Sequence, residues 1–173
     1  MRAVRVHTGE NRPSEDVIRE RALRWLNVEV SNLKLIDVYL LDLSLQEEQF
    51  RSVKNEILVD PVLEESFNSY TGETVNENFD WIIQIGLKPG MKDGEGERTK
   101  DAIEDLLGKS FSGNVYTAQE YLIEGDLDRS EIDILAKELL ANELINRITA
   151  VEAGDIPERE AELNEVPEIT AGK

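Results

Sequence analysis

Apolar and polar positions alternate over short stretches of the chain, and these stretches are separated by segments with helical spacing. Strand patterns fall at Ala3–Val6, Val28–Leu33 and Ile36–Leu41, and again at Trp81–Leu87, Asn114–Ala118 and Gln119–Ile123. Helical spacing predicts helices over Ser14–Leu26, Leu45–Val59, Thr99–Leu107 and Arg129–Ala141. Within the second of these, Phe50, Val53 and Ile57 recur at i, i+3 and i+7, one face of a helix. Ser44 with Glu47 fits a capping box, and Asp126 stands at the matching place before the last helix.

That matching place reflects a repeat. Tyr39–Leu63 aligns without a gap on Tyr121–Ile145: Tyr39 meets Tyr121, Leu40 meets Leu122, Glu56 meets Glu138 and Leu58 meets Leu140. Apolar class agrees at Phe50 and Ile132, Val53 and Leu135, Ile57 and Leu139, and Val62 and Leu144. The front halves agree with small gaps, AVRV on IIQI and then a helix carrying Ile18, Ala22, Trp25 and Leu26 on one carrying Ala102, Ile103, Leu106 and Leu107. Each copy spans about 70 to 80 residues, a size at which one core is marginal. Two copies that share a sheet edge or a helix layer bury what one cannot. Half-apolar strands predict a sheet with one covered and one wet face, the two-layer α+β arrangement. The expected division is repeat 1 over residues 1–67, a linker over 68–78, repeat 2 over 79–150 and an acidic extended tail, or a connection to a further domain, over 151–173.

Composition narrows the function classes. The formal net charge is −18, with acids and bases interspersed and no basic patch, which argues against nucleic-acid and anionic-membrane partners. Cysteine is absent, which excludes thiolate catalysis, disulfides and Cys-based metal sites. No apolar run reaches the roughly 18 residues of a membrane span, and no secretory signal pattern is visible, so a cytoplasmic location is expected.

Candidate chemistry is sparse. After the strand ending at Leu87 come Lys88, Pro89 and Gly90, where proline and glycine supply turn chemistry and Lys88 is left as the best candidate for contact with a partner. Asp93, Glu95 and Glu97 read as acids favoured at a helix start, with a divalent cation as the competing reading. His7, the single histidine, stands at a strand end with no Ser or Cys partner and reads as structural. Trp25 and Trp81 read as core or inter-copy packing. Tyr39 and Tyr121 occupy equivalent places and are further partner-contact candidates at the joint between copies. The glycines of KPGMKDGEGERTK lack phosphate-loop spacing. No catalytic, cofactor-binding or metal-ligating residue is assigned.

Leu87-Lys88-Pro89-Gly90, then Asp93, then a helix with Ala102 and Leu106 closing on Gly108, resembles the PurS family, as does YLIEGDL followed by LAKELLANELI. Copy one resembles it weakly: it has HTGENRP in place of Leu-Lys-Pro-Gly but keeps ILVDPVLE with Pro61. Gly94 replaces the proline common there, and Gly94 with Gly96 predicts a loose helix start. PurS is the small subunit of phosphoribosylformylglycinamidine (FGAM) synthase in purine biosynthesis. The resemblance implies an α+β fold in which two strand–helix–strand–strand–helix repeats form a pseudo-dimer, an antiparallel sheet with helices on one face. It implies a non-catalytic scaffold between an ATP-dependent synthetase (PurL-like) part and a glutaminase (PurQ-like) part, for ammonia transfer. The whole complex converts FGAR, glutamine and ATP to FGAM, glutamate, ADP and phosphate. ATP and Mg are then expected for the whole enzyme and no cofactor for this chain. The alternative is a small-molecule-sensing regulatory α+β domain pair.

Overall fold

The computed structural model describes residues 1–9, 12–71 and 78–167. Its order is β1 (Arg2–Thr8), α1 (Pro13–Leu26), β2 (Asn32–Asp42), α2 (Glu47–Val53), β3 (Glu64–Phe67), β4 (Trp81–Leu87), α3 (Gly94–Leu107), β5 (Asn114–Glu124), α4 (Arg129–Leu135), β6 (Asn146–Glu152) and the short α5 (Ile156–Arg159). The six strands make one antiparallel sheet in the order β3-β1-β2-β5-β4-β6. The protein is α+β, as the pattern predicts.

The order within each half differs from the prediction. Val28–Leu33 and Ile36–Leu41 are not two strands; the chain runs unbroken through β2, and likewise through β5. Leu33-Lys34-Leu35-Ile36 and Tyr116-Thr117-Ala118-Gln119 contain no residue that favours a turn, so the ladder continues. The third strand comes after the second helix instead. β3 and β6 follow it as edge strands, and their polar composition (EESF, NRITAVE) hid them.

Both second helices are shorter than their apolar spacing suggests. After α2 and α4 the chain widens into one π-turn, Lys54–Leu58 and Ala136–Leu140. There the amide of Val59 bonds the Lys54 carbonyl and that of Ala141 bonds the Ala136 carbonyl, at 3.0 and 2.9 Å. The caps also shift. Gln46, not Ser44, precedes α2, its amide donating to Gln49 Oε1 at 2.9 Å. Asp128, not Asp126, caps α4 through the Glu131 amide at 2.8 Å.

Strand pairing is centred on one residue pair. Asp37 lies opposite Gln119 in the middle of the β2–β5 ladder, with Asn32 opposite Glu124 at one end and Asp42 opposite Asn114 at the other. β2, α2 and the first π-turn recur 82 positions later as β5, α4 and the second π-turn.

Alternation along the strands sorts the core into two faces. On one, Leu33, Leu35, Ile83, Ile85 and Ile123 meet α1 and α4 through Ala22, Ile132 and Leu135. On the same face Val4, Val6, Leu41 and Val115 meet α2 and α3 through Phe50, Val53 and Ile103. The other face is not wet. Ile36, Val38, Leu40, Ile82, Leu122 and Val151 are covered by Ile156 and Leu163 of the C-terminal segment, with Tyr70 and Phe79 packed alongside. The expected extended tail is therefore structured as far as Asn164, in β6, short 3-10 turns and α5. Its acids gave it a disordered appearance, but Ile156 and Leu163 sit where they seal an apolar sheet face, each burial contributing about 1.5–3 kcal/mol. Residues 72–77 of the predicted linker and 168–173 of the tail lie outside the described residues. Trp81 is core, its indole N–H donating to the Leu127 carbonyl at 3.1 Å. Trp25 is not: it is 61% exposed on α1, with the Arg21 guanidinium over its ring.

Candidate functional site

β4 delivers the chain to a corner at Lys88-Pro89-Gly90. The Lys88 amide donates to the Ile145 carbonyl at 2.9 Å, the last rung toward β6. The Met91 amide then donates back to the Lys88 carbonyl at 3.1 Å, closing a turn whose third residue, Gly90, sits at φ 87°. That conformation favours glycine, and proline before it presets its own φ. The turn accounts for Pro89 and Gly90; the side chain of Lys88 is exposed.

Asp93 ends the corner and starts α3. Its carboxylate accepts from the Gly96 amide at 2.8 Å, the Thr117 amide at 2.7 Å and the Thr117 hydroxyl at 2.9 Å. An oxygen pair so engaged is a helix cap tied to β5. Among the described residues no group of three or more His, Asp or Glu side chains is placed to hold a metal ion. The helix takes in both glycines and begins at Gly94, five residues before the predicted start. A Cβ on Gly96 would lie 2.2 Å from the Val115 carbonyl oxygen, so glycine is what lets α3 pack onto β5.

Two cavities open on this corner. One, of about 500 Å³, is lined by Leu40, Gly86, Lys88, Gly90, Lys92, Tyr116 and Arg147 among others. The second, of about 350 Å³, includes Asp37, Tyr39, Asp93, Glu95 and Gln119. The predicted site residues are thus divided. Lys88 and Gly90 border the first cavity, Tyr39 the second, and Pro89 and Tyr121 line neither. Tyr39 and Tyr121 do sit symmetrically about the Asp37–Gln119 pair, each two residues beyond it along its strand. Burial, with Glu95 and Asp37 adding negative potential, pushes the Tyr39 hydroxyl up to about 12. Burial, with Asp37, also raises that of Tyr121. His7 faces Glu65 across the β1–β3 pair at 3.8 Å and packs edge-on against Phe67.

Sequence reasoning missed a buried charge cluster on the second face. Arg5 is fully buried and forks onto Glu120, Nε to Oε1 at 2.8 Å and Nη2 to Oε2 at 3.1 Å. Its remaining donors reach the Asn68 carbonyl at 2.7 Å and Asn164 Oδ1 at 2.9 Å. Glu120 also accepts from the Tyr70 hydroxyl at 2.6 Å and from Gln84 Nε2 at 2.8 Å. Burial and the Glu120 charge hold the Tyr70 hydroxyl well above its ordinary value. Glu160 binds the linker, accepting from Ser69 and Thr71 hydroxyls at 2.8 and 2.7 Å. The cluster ties β1, β5, the linker and the C-terminal segment together. Arg5, Gln84 and Glu120 within it are buried, and the bonds of Arg5 to Asn164 and of Gln84 to the Leu163 carbonyl fix that segment on the sheet.

No family model matches the chain, and no curated protein matches it.

Proposed function

We propose that the chain is a tandem PurS-like unit, a pseudo-dimer made of two copies of one β-α-β-α-β motif, that serves FGAM synthase as a non-catalytic scaffold. The observation that carries the pseudo-dimer is the register. Moving from β2 to β5 by 82 positions turns each rung of their ladder into another rung of the same ladder, about Asp37 and Gln119. The β1–β2 and β1–β3 pairings recur likewise as β4–β5 and β4–β6, with β1 mapped onto β4 at a spacing of 79. Small features follow. Asp60 caps the Val62 and Leu63 amides, and Asn142 caps the Leu144 amide at the same spacing.

The step to FGAM synthase rests on the Leu-Lys-Pro-Gly corner and its helix. Lys88 is the exposed cation of that corner, Pro89 and Gly90 hold it there, and Tyr39 and Tyr121 flank the joint. The chain contributes position, not chemistry: it holds a synthetase (PurL-like) part and a glutaminase (PurQ-like) part so that ammonia passes between them. A cytoplasmic site and a whole enzyme using ATP and Mg go with that reading. Size-exclusion co-elution with a synthetase and a glutaminase, in glutamine and Mg-ADP, tests it. One ternary peak that Lys88→Glu weakens is expected; three separate peaks, with a full-length synthetase as control, reject it.

A further inference from the structure

We propose that the 500 Å³ cavity beside the Lys88 corner is a binding site for a small phosphate ester. Three cations border it, Lys88, Lys92 and Arg147, in a chain whose net charge of −18 repels anions. Two carboxylates share the rim. Asp93 is taken up by its three N–H and O–H donors, and Glu97 lies 3.8 Å from Lys92 at the exposed edge. Arg147 has no carboxylate partner among the described residues. One Nη donates to the Glu165 carbonyl at 2.9 Å, and its Nε is buried with no hydrogen-bond partner. That Nε lies 4.0 Å from where a Cβ on Gly86 would stand, a buried donor left without an acceptor at the floor of the site, which is uncommon.

The other half of the molecule carries different side chains at the corresponding strand positions. Gly86 pairs with Arg147 across β4 and β6; the corresponding pair across β1 and β3 is His7 with Glu65. There the imidazole faces Glu65 at 3.8 Å and packs edge-on against Phe67. Lys34, which corresponds to Tyr116, is buried and donates to the Thr8 carbonyl. In the C-terminal half glycine replaces the imidazole, tyrosine replaces the lysine, and arginine replaces the acid. The Arg147 guanidinium lies over Gly86, its Nη2 3.5 Å from where a Cβ would stand, and the charge beside the cavity is turned positive. Leu40, Met91, Val115 and the Tyr116 ring supply apolar wall beside the cations. A phosphate dianion offers enough oxygens to engage Lys88, Lys92 and the Arg147 fork, and the wall takes the organic part. The volume suits a sugar phosphate.

This inference does not depend on the scaffold reading, because it concerns the isolated chain. Calorimetric titration in phosphate-free buffer uses glucose 6-phosphate as probe, with inorganic phosphate, unphosphorylated glucose and citrate as comparison arms. One saturable site is expected for glucose 6-phosphate, weaker for inorganic phosphate and absent for glucose. Arg147→Met is expected to weaken it about tenfold or more, the loss of a charge-assisted donor pair. Lys88→Ala, an exposed change that leaves the fold intact, weakens it several-fold, and Lys137→Ala, an exposed lysine that lines neither cavity, leaves it unchanged. Gly86→His, which puts an imidazole where the Arg147 guanidinium lies, abolishes it with an unchanged circular dichroism spectrum. No saturable binding of glucose 6-phosphate, binding by Lys88→Ala and Arg147→Met as tight as by the unsubstituted protein, or tighter binding of citrate would each overturn the proposal.

Discussion

Replacing Glu120 with alanine removes the carboxylate that faces the Arg5 guanidinium in a region closed to water. Four donors lose a bond at once, Arg5 Nε and Nη2, the Tyr70 hydroxyl and Gln84 Nε2; Arg5 Nε and the Tyr70 hydroxyl are left with no other acceptor, while Gln84 Nε2 keeps the Leu163 carbonyl. Arg5 keeps the Asn68 carbonyl and Asn164 Oδ1, so its charge stays partly solvated by the protein but loses its counter-ion. Stranding one member of a buried pair costs about 3–5 kcal/mol. The Tyr70 hydroxyl, left without its acceptor, adds to that cost. Against a typical domain stability of about 5–15 kcal/mol, the variant should remain folded but shift far toward unfolding in urea. Removing both charges together, as Arg5→Met with Glu120→Ala, leaves no stranded charge, although the Tyr70 hydroxyl, the Asn68 carbonyl and Asn164 Oδ1 lose partners, and should cost less than the sum of the two single changes by about 2 kcal/mol or more. Urea titration followed by the fluorescence of buried Trp81 measures all four corners of the cycle, provided the transitions stay two-state. A Glu120→Ala cost below about 1 kcal/mol, or a double variant equal to the sum of the singles, would refute the reasoning that the pair is desolvated and coupled.

Other consequences are as direct. Gly96→Ala forces α3 off the Val115 carbonyl, and a loss of about 1–3 kcal/mol or more is expected in the same titration; a neutral result would mean that the helix does not pack this closely. Leu163→Ala opens a cavity over the second sheet face and should cost about 2–4 kcal/mol with increased binding of a hydrophobic dye; no change would place the C-terminal segment off the sheet. The Tyr39 hydroxyl titrates at about 12 in the fold against 10.0 unperturbed, so its contribution is complete below pH 10 and is lost as pH rises toward 12. Absorbance titration of phenolate, compared between wild type and Tyr39→Phe, should show the missing step above pH 10. A step lost near pH 10 would contradict burial of this ring.

The sheet and the helical layer were legible because alternation and helical spacing are local signals, and both survive in Trp81–Leu87 and in the Phe50, Val53, Ile57 series. The edge strands were not. Glu64–Phe67 and Asn146–Glu152 are half solvated, so their polarity resembles a loop, and only pairing to β1 and β4 makes them strands. The C-terminal segment misled for a related reason: seven acids outweigh two apolar anchors in composition, although the anchors decide where the segment lies. Trp25 followed the helical spacing of its neighbours yet points outward, since Ala22 and Leu26 already fill the contact with the sheet. At the corner, Lys88, Pro89 and Gly90 were legible as turn chemistry. Arg147 was not legible as their neighbour, because it arrives on an unrecognised strand 60 residues after Gly86-Leu87, where its equivalent in the first half is an acid. Arg5 and Glu120 are separated by 115 positions, and no local pattern announces a pair at that distance.

The scaffold reading is tested most directly by measuring FGAM formation from a synthetase and a glutaminase with and without the chain, once with glutamine and once with ammonia as nitrogen donor. The account predicts that adding the chain raises the glutamine-dependent rate steeply while the ammonia-dependent rate changes little. Equal rates with glutamine in its presence and absence, while the chain is folded, would contradict it.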